Sequence, residues 1–330
     1  MKFQIEISKI FNKFHFISNL TEWHFSCRRN CNKRWLELTG PLNKQEKESL
    51  KKFTKILNKY NFGERFIGKS FVAKNEKDAW KNLKIQLTKK EFSELEDIFS
   101  VFDGRFEKLW KKEKKNLYNG KQIFKRRLSN KKIIKIIRAV SVFLKCEKLP
   151  RLIMIYPLWG HPNSIGGGAN IGKEKITIEY CNLKESNQLN NIVTIILHET
   201  FHVMAKKSRY YEKNIDRVSA LINKRSNKTV KGKGINGYII ANEAVINSLL
   251  PYGYLKKYLF GVSDEELLKV IDERIKKAKS DYYKWTCFAT KNLYYLTKKY
   301  FENKKPIDKY FFDQVIDTFK NFKNLNKNKT

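Results

Sequence analysis

The sequence is poor in the residues that impose architecture locally or covalently. It has five cysteines, six prolines and fifteen glycines in 330 residues. The cysteines, Cys27, Cys31, Cys146, Cys181 and Cys287, are odd in number and scattered. They form no small disulfide framework and suit a reducing compartment. So little proline and glycine excludes collagen-like and proline-rich architectures. No uncharged apolar run approaches the roughly 18 residues of a membrane span. The opening stretch, Met1 to Leu20, has neither the unbroken apolar segment nor the small-residue cleavage site of a secretory signal. The expected location is therefore cytoplasmic, with no membrane partner. Acidic residues are also scarce, 33 against 69 Lys and Arg, for a formal charge of +36.

What is present is enough apolar material for a real core: 41% hydrophobic and 14% aromatic. The positive charge is carried mainly by lysine and is spread along the chain, densest from Lys111 to Arg138. Groove-reading proteins favour the bidentate fork of arginine. The charge therefore reads as a solvated basic surface, with weak non-specific polyanion binding.

Phe3, Ile5 and Ile7 alternate with polar neighbours and predict a short strand within an aromatic-rich first forty residues. Apolar residues at helical spacing predict helices over 41–60, 75–87, 90–102, 105–116 and 130–144. Leu152 to Tyr156 reads as a buried strand ended by Pro157. A glycine-rich turn, Gly166 to Gly172, precedes a second strand in which Ile176, Ile178 and Tyr180 alternate with Thr177 and Glu179. A long helix, capped by Ser186 or Asn187, is expected from Gln188 to Lys207. A polar, glycine-containing connection leads to a helix from Tyr238 to Leu250, closed by Pro251 and Gly253. The stretch from Asp264 to Phe322 reads as helical.

The long helix contains His198-Glu199-Thr200-Phe201-His202. Residues four apart lie on one helix face, so His198 and His202 can aim two imidazole nitrogens at one ion. Glu199 projects about 100° away, where it can hold and deprotonate a water beside that ion. The flanking residues Ile195, Ile196, Leu197, Val203 and Met204 are apolar. A buried helix has little structural reason to carry two histidines and a glutamate, because each costs free energy unless satisfied. The alternative is a pair of core histidines bonded to backbone carbonyls, with Glu199 in an ion pair. Zinc favours imidazole and carboxylate ligands and needs a third protein ligand here. Glu243, the acid of Ala241-Asn242-Glu243-Ala244-Val245, is the best candidate. Glu212, Asp216 and Glu185 compete from more polar surroundings. Glu243 has its own alternative, an acid in the first helical turn facing the helix dipole.

The HExxH helix followed by Asn242-Glu243 resembles the gluzincin class of zinc metallopeptidases, the thermolysin-like wing of the HExxH superfamily. The resemblance covers about residues 150–250 and implies one zinc ion per chain. His198, His202 and Glu243 would be its ligands, Glu199 the general base, and a peptide or protein the substrate. The class places an aspartate four residues after the third ligand to orient a metal-bound histidine; Asn247 stands there. A third histidine of the metzincin type is missing, since Ser208 occupies its position. Such peptidases pair the substrate backbone with an edge strand before the active-site helix, which points to Gly167, Gly168, Ala169 and Asn170. An ordinary hairpin loop is the alternative. No histidine follows His202 to stabilise the oxyanion. A tyrosine serves in other gluzincins, so Tyr238, Tyr252 and Tyr254 are candidates, with His161 as another.

The implied fold is α+β, a zincin-like core of small mixed sheet and active-site helix within a mostly helical chain. The expected regions are a mostly helical 1–148, the core 149–255, a helical 256–323 packed on it, and a disordered basic tail 324–330. The rival reading is a basic nucleic-acid- or protein-binding protein on a zincin scaffold, with structural or no zinc. A toxin-like or self-processing protease with one target is a third.

Overall fold

A computed structural model describes residues 1–24, 27–60, 67–73, 75–161, 166–168, 172–181, 186–225 and 235–327. The chain is mostly helical, with a small mixed sheet of four strands. Contacts divide it into two compact units. One comprises Lys2–Arg127 and Leu152–Ile192; the other comprises Met1, Leu128–Arg151 and Val193–Thr330. These units cut the chain at different places from the four regions outlined above. Among the described residues no helix is long and apolar enough to cross a membrane.

The first unit carries the sheet, in the order β1 (Lys2–Ile5), β2 (Leu152–Trp159), β4 (Lys175–Tyr180), β3 (Gly166–Gly168). The β1–β2 and β2–β4 pairs are parallel, and β3 runs antiparallel to β4 as an edge strand. Pro157 does not end β2, contrary to expectation. Neighbouring residues of a parallel strand bond to opposite sides. Met154 N–H donates to Glu174 O at the β4 side, whereas Ile155 O accepts from Glu6 N at the β1 side. The missing N–H of Pro157 therefore faces the β1 side, where β1 has already ended. Asn12 of α1 (Lys9–Leu20) completes that side. Its Nδ2 donates to Pro157 O at 3.1 Å, and its Oδ1 accepts from Trp159 N–H at 3.1 Å. An edge without a competing ladder is where a strand proline is tolerated.

The helices of this unit follow their apolar periodicity and their caps. In α2 (Arg29–Thr39), Trp35 is buried; in α3 (Lys44–Lys59), Asn43 and Glu46 form a capping box ahead of buried Leu50, Phe53, Ile56 and Leu57. The short α4 (Ile67–Phe71) precedes α5 (Glu76–Gln86), capped by Asn75, and α6 (Lys89–Val101), capped by Thr88 with Glu91. Helix α7 spans Asp103–Leu128, well past the expected Asn116. Leu117, Phe124 and Leu128 continue its buried stripe. Gly120 leaves room for the Tyr180 ring, whose hydroxyl donates to Leu117 O. Helices α1 and α2 lie in the aromatic-rich first forty residues, where aromatic density hides their 3.6-residue period.

The second unit is helical: α8 (Lys131–Phe143), the main part of α9 (Ser186–Ala205), α10 (Arg209–Arg225), α11 (Gly237–Leu249), α12 (Leu255–Phe260), α13 (Asp264–Lys277), α14 (Asp281–Glu302) and α15 (Lys309–Lys327). The expected polar connection after α9 is in large part α10, an amphipathic helix. Its Tyr211, Ile215, Val218 and Ile222 are buried and lie on one face. Helix α15 carries regular structure to Lys327, where a disordered tail was expected; residues 328–330 lie outside the described residues. Helix α11 is buried nearly all round, packed by α10 and α14. Trp285 of α14 is fully buried and donates its indole N–H to Ile240 O. Burying each such large side chain contributes roughly 1.5–3 kcal/mol, so α11 is held by its neighbours rather than by helix propensity.

Candidate metal centre

Helix α9 is apolar on every side around its motif: Ile196, Leu197, Phe201, Val203 and Met204 are all buried. Thr200 satisfies its hydroxyl within the helix on Ile196 O. His198 and His202, one turn apart, place their ring centroids 4.6 Å apart, and both are buried. Glu243 comes from α11, which has no acid in its first turn and is capped instead by Asn236. Glu243 is the seventh residue of the helix Gly237–Leu249, so the helix-dipole explanation for it fails.

The ligand atoms of these three residues converge. His198 Nε2 and His202 Nε2 are 3.1 Å apart. His198 Nε2 lies 3.5 Å from Glu243 Oε2, and His202 Nε2 lies 3.4 Å from Glu243 Oε1. Ligands on a tetrahedral ion at metal–ligand distances of about 2.0–2.1 Å stand roughly 3.3 Å from one another. Each imidazole nitrogen lies near that distance from its neighbouring imidazole and from one of the two Glu243 oxygens. His198 Nδ1–H donates to Leu250 O at 2.7 Å, so that when the ring is neutral its Nε2 lone pair faces the group. Two imidazole nitrogens and a carboxylate aimed at one point repel unless a proton or a cation lies among them. The donor set therefore fits a divalent ion such as zinc. Among the described residues this is the one group of three or more such side chains so placed.

Electrostatics show the same frustration. Burial disfavours charge on His198, but the hydrogen bond and charge of Glu243, the charge of Glu199 and the Leu250 carbonyl outweigh it and raise its pKa to about 9. Burial likewise opposes charge on Glu243, yet His202 and His198 hold its carboxyl far below the usual carboxylate range. Glu199 is buried beside the group, and burial pushes its pKa up against the pull of the two histidines. A carboxylate shifted toward neutrality suits a group that must take and then return a proton.

Asn242 touches His202 Nδ1 at 3.0 Å through its amide, and the hydroxyl of buried Tyr211 donates to Asn242 Oδ1 at 2.8 Å. Half a turn of that amide exchanges its oxygen and nitrogen, and the Tyr211 hydroxyl can accept as well as donate. The pair thus supports either tautomer of His202, including the one that presents a free Nε2. Asn247 does not orient a histidine, as the resemblance implied. Its Nδ2 donates to Glu243 Oε2 at 2.6 Å, and the Leu250 carbonyl takes the place on His198. The reason is geometric: four residues along α11 from Glu243, Asn247 lies one turn above it on the same face.

The tyrosines expected near the group are elsewhere. Tyr238 bonds Glu212 at 3.1 Å, Tyr252 lies under Arg274, and Tyr254 packs on Tyr258, Tyr294 and Phe301. Tyr282, in the first turn of α14 behind its Ser280 cap, hydrogen-bonds Glu243. Burial, the charges of Glu243 and Glu199 and a side-chain hydrogen bond with Glu243 all hold its hydroxyl protonated far above the usual range. Nothing in the sequence marks it, since it lies far downstream in a tyrosine-rich helix.

His161 belongs to the sheet-bearing unit, where burial and the charge of Arg34 lower its pKa and Glu37 opposes them. Gly167 and Gly168 form part of edge strand β3 in that same unit, while Ala169 and Asn170 lie outside the described residues. Of the competing acids, Glu212 accepts from Tyr238, Asp216 is exposed, and Glu185 lies outside the described residues. Compared with known protein families, with curated proteins and with solved structures, the chain matches none.

Proposed function

We propose that the chain is a zinc-dependent metallopeptidase of the gluzincin type, with a zincin-like core built around α9 and α11. The observation that carries this reading is the convergence of two imidazole nitrogens and the two oxygens of one carboxylate, with Glu199 beside them. His198, His202 and Glu243 would hold the ion. When bound, zinc supplies a Lewis acid and brings the pKa of a bound water to about 7.

The protein side of the reaction then follows from the neighbouring groups. Glu199 takes a proton from the attacking water and delivers it to the leaving nitrogen. Its raised pKa lets it work in both directions. The Tyr282 hydroxyl, kept protonated, donates to the carbonyl oxygen as negative charge grows there. Leu250 O and the Asn242–Tyr211 pair fix the two imidazoles, and Asn247 fixes the Glu243 carboxylate.

The test is hydrolysis of a peptide library by the zinc-loaded full chain. The wild-type protein should cut peptides, and zinc-loaded Glu199→Gln should not. Activity that persists in the variant, or none in the zinc-loaded wild type, would refute the reading.

A second reading rests on α7, where Lys108, Lys111, Lys112, Lys115 and Tyr118 are exposed. They favour a polyanion-binding surface that uses no metal. It predicts salt-dependent nucleic-acid binding that survives His198→Ala.

A further inference from the structure

Arg274 of α13 stacks over the Tyr252 ring, its guanidinium carbon 3.8 Å from the ring centroid, and donates from Nη1 to the Tyr283 hydroxyl. Lys256 of α12 places its ammonium 5.0 Å from the same ring centroid. The two cations, Tyr252 and Tyr283 are all half-buried. Among the described residues, no carboxylate pairs with either cation. Four of the five acids of α13 are engaged elsewhere, Asp264 with Lys257 and Lys298, Asp272 with Lys291, Glu273 with Lys277, and Glu266 in the Ser263 cap, and the fifth, Glu265, is exposed in the first turn. Burial and the neighbouring Arg274 hold the Lys256 ammonium below the usual lysine range.

Two half-buried cations packed against one aromatic ring and lacking an anion repel each other, and their ring partner offsets only part of that cost. A bound anion would relieve it. Their ring partners are close in sequence to two residues bonded to the metal group. Tyr252 follows, by two residues, Leu250, whose carbonyl holds His198. Tyr283 follows Tyr282, which bonds Glu243.

We propose that Arg274 and Lys256 form a carboxylate-binding subsite, with Tyr252 as its floor and Tyr283 fixing the guanidinium. As part of the peptidase reading, on which this assignment of the ligand rests, it would receive a carboxylate of the peptide substrate, either a C-terminal one or an acidic side chain. The planar guanidinium fork matches a carboxylate, and the lysine adds a point charge.

The experiment uses the full chain and small probes, so that it needs neither metal nor hydrolysis. N-acetylglutamine offers only an α-carboxylate, N-acetylglutamate α-amide only a side-chain carboxylate, and N-acetylglutaminamide neither. Their binding is measured by the melting-temperature shift of wild type, Arg274→Gln, Lys256→Gln and the exposed control Lys269→Gln. The expected result is binding of at least one carboxylate probe and not of the neutral one. Arg274→Gln should weaken it at least tenfold, Lys256→Gln less, and the control should leave it unchanged. Which carboxylate binds distinguishes the two sources. Should Arg274→Gln not fold, Arg274→Lys keeps the charge, removes the fork and should still weaken binding several-fold.

Equal responses of wild type and the Arg274 variants, or no carboxylate binding in wild type, would overturn the subsite. If zinc-loaded protein cut no peptide while the Arg274-dependent binding stood, the peptidase reading would fall and the anion site would remain.

Discussion

The two units treat buried polar groups in opposite ways. Among the described residues of the sheet-bearing unit most prominent ones meet a complement, the buried indole N–H of Trp159 excepted. Asn12 bridges Ser8 O, Pro157 O and Trp159 N–H. The guanidinium of Arg105 spreads its donors over Glu46, Thr39 Oγ1, Gly40 O and Pro41 O. Asn19 and Asn32 bond each other and the backbone. His15 meets Trp159 O at 3.0 Å. In the helical unit, α9 and α11 bring acceptor against acceptor at about the spacing of a metal's coordination sphere. The first pattern is how a fold satisfies what it buries. The second is unfavourable by itself and stable only with a cation or proton at its centre. Local departure from a rule mostly kept elsewhere is the kind of signal on which the proposed site rests.

The comparison can be broken at either end. The largest effect is expected at Glu199. Glu199→Gln should lower turnover by about 10³-fold while zinc content stays at the wild-type level, read by single-turnover kinetics and elemental analysis. A loss of zinc in that variant would make Glu199 a ligand and merge the roles kept apart here.

Arg105→Ala tests the opposite pattern. It strands the buried Glu46 carboxylate and should cost about 3–5 kcal/mol in urea unfolding, with zinc content unchanged. A cost below about 1 kcal/mol would mean that this network is not structural.

Tyr282→Phe sharpens the account of the site. It should reduce kcat by roughly tenfold to a hundredfold with little change in KM or zinc. A change in KM alone would place Tyr282 in substrate binding.

The smallest effect is a pH dependence. In metal-free protein the folded His198 holds its proton up to about 9, against an ordinary value of 6.5. That proton stabilises the fold below the ordinary value, and the contribution disappears as pH rises through about 9. The melting temperature of chelator-treated protein should therefore fall by a few degrees across this window relative to His198→Gln. Parallel profiles for the two proteins would show that His198 and Glu243 are not coupled.

Much of the fold was legible where local signals agreed. The capping boxes at Asn43–Glu46 and Thr88–Glu91 stand at the starts of α3 and α6, next to clear apolar periods. Tertiary context decided the rest. Pro157 stays within a strand because Asn12, remote in sequence, supplies the missing ladder. Helix α10 was missed because its buried line of Tyr211, Ile215, Val218 and Ile222 is diluted by lysine, asparagine and arginine. In the site, the two histidines, Glu199 and Glu243 could be read from residue type and spacing. Leu250 could not, because it acts through a backbone carbonyl that every residue possesses. Tyr282 could not, because only the packing of α14 on α11 brings it to Glu243.

His198, His202 and Glu243 are proposed to hold one metal ion together. The most direct test is elemental mass spectrometry of purified, zinc-reconstituted wild type, His198→Ala and Glu243→Ala. Wild type should carry about one zinc per chain, and both variants should lose it. Wild-type protein that takes up no zinc, or zinc retained in both variants, would contradict this assignment.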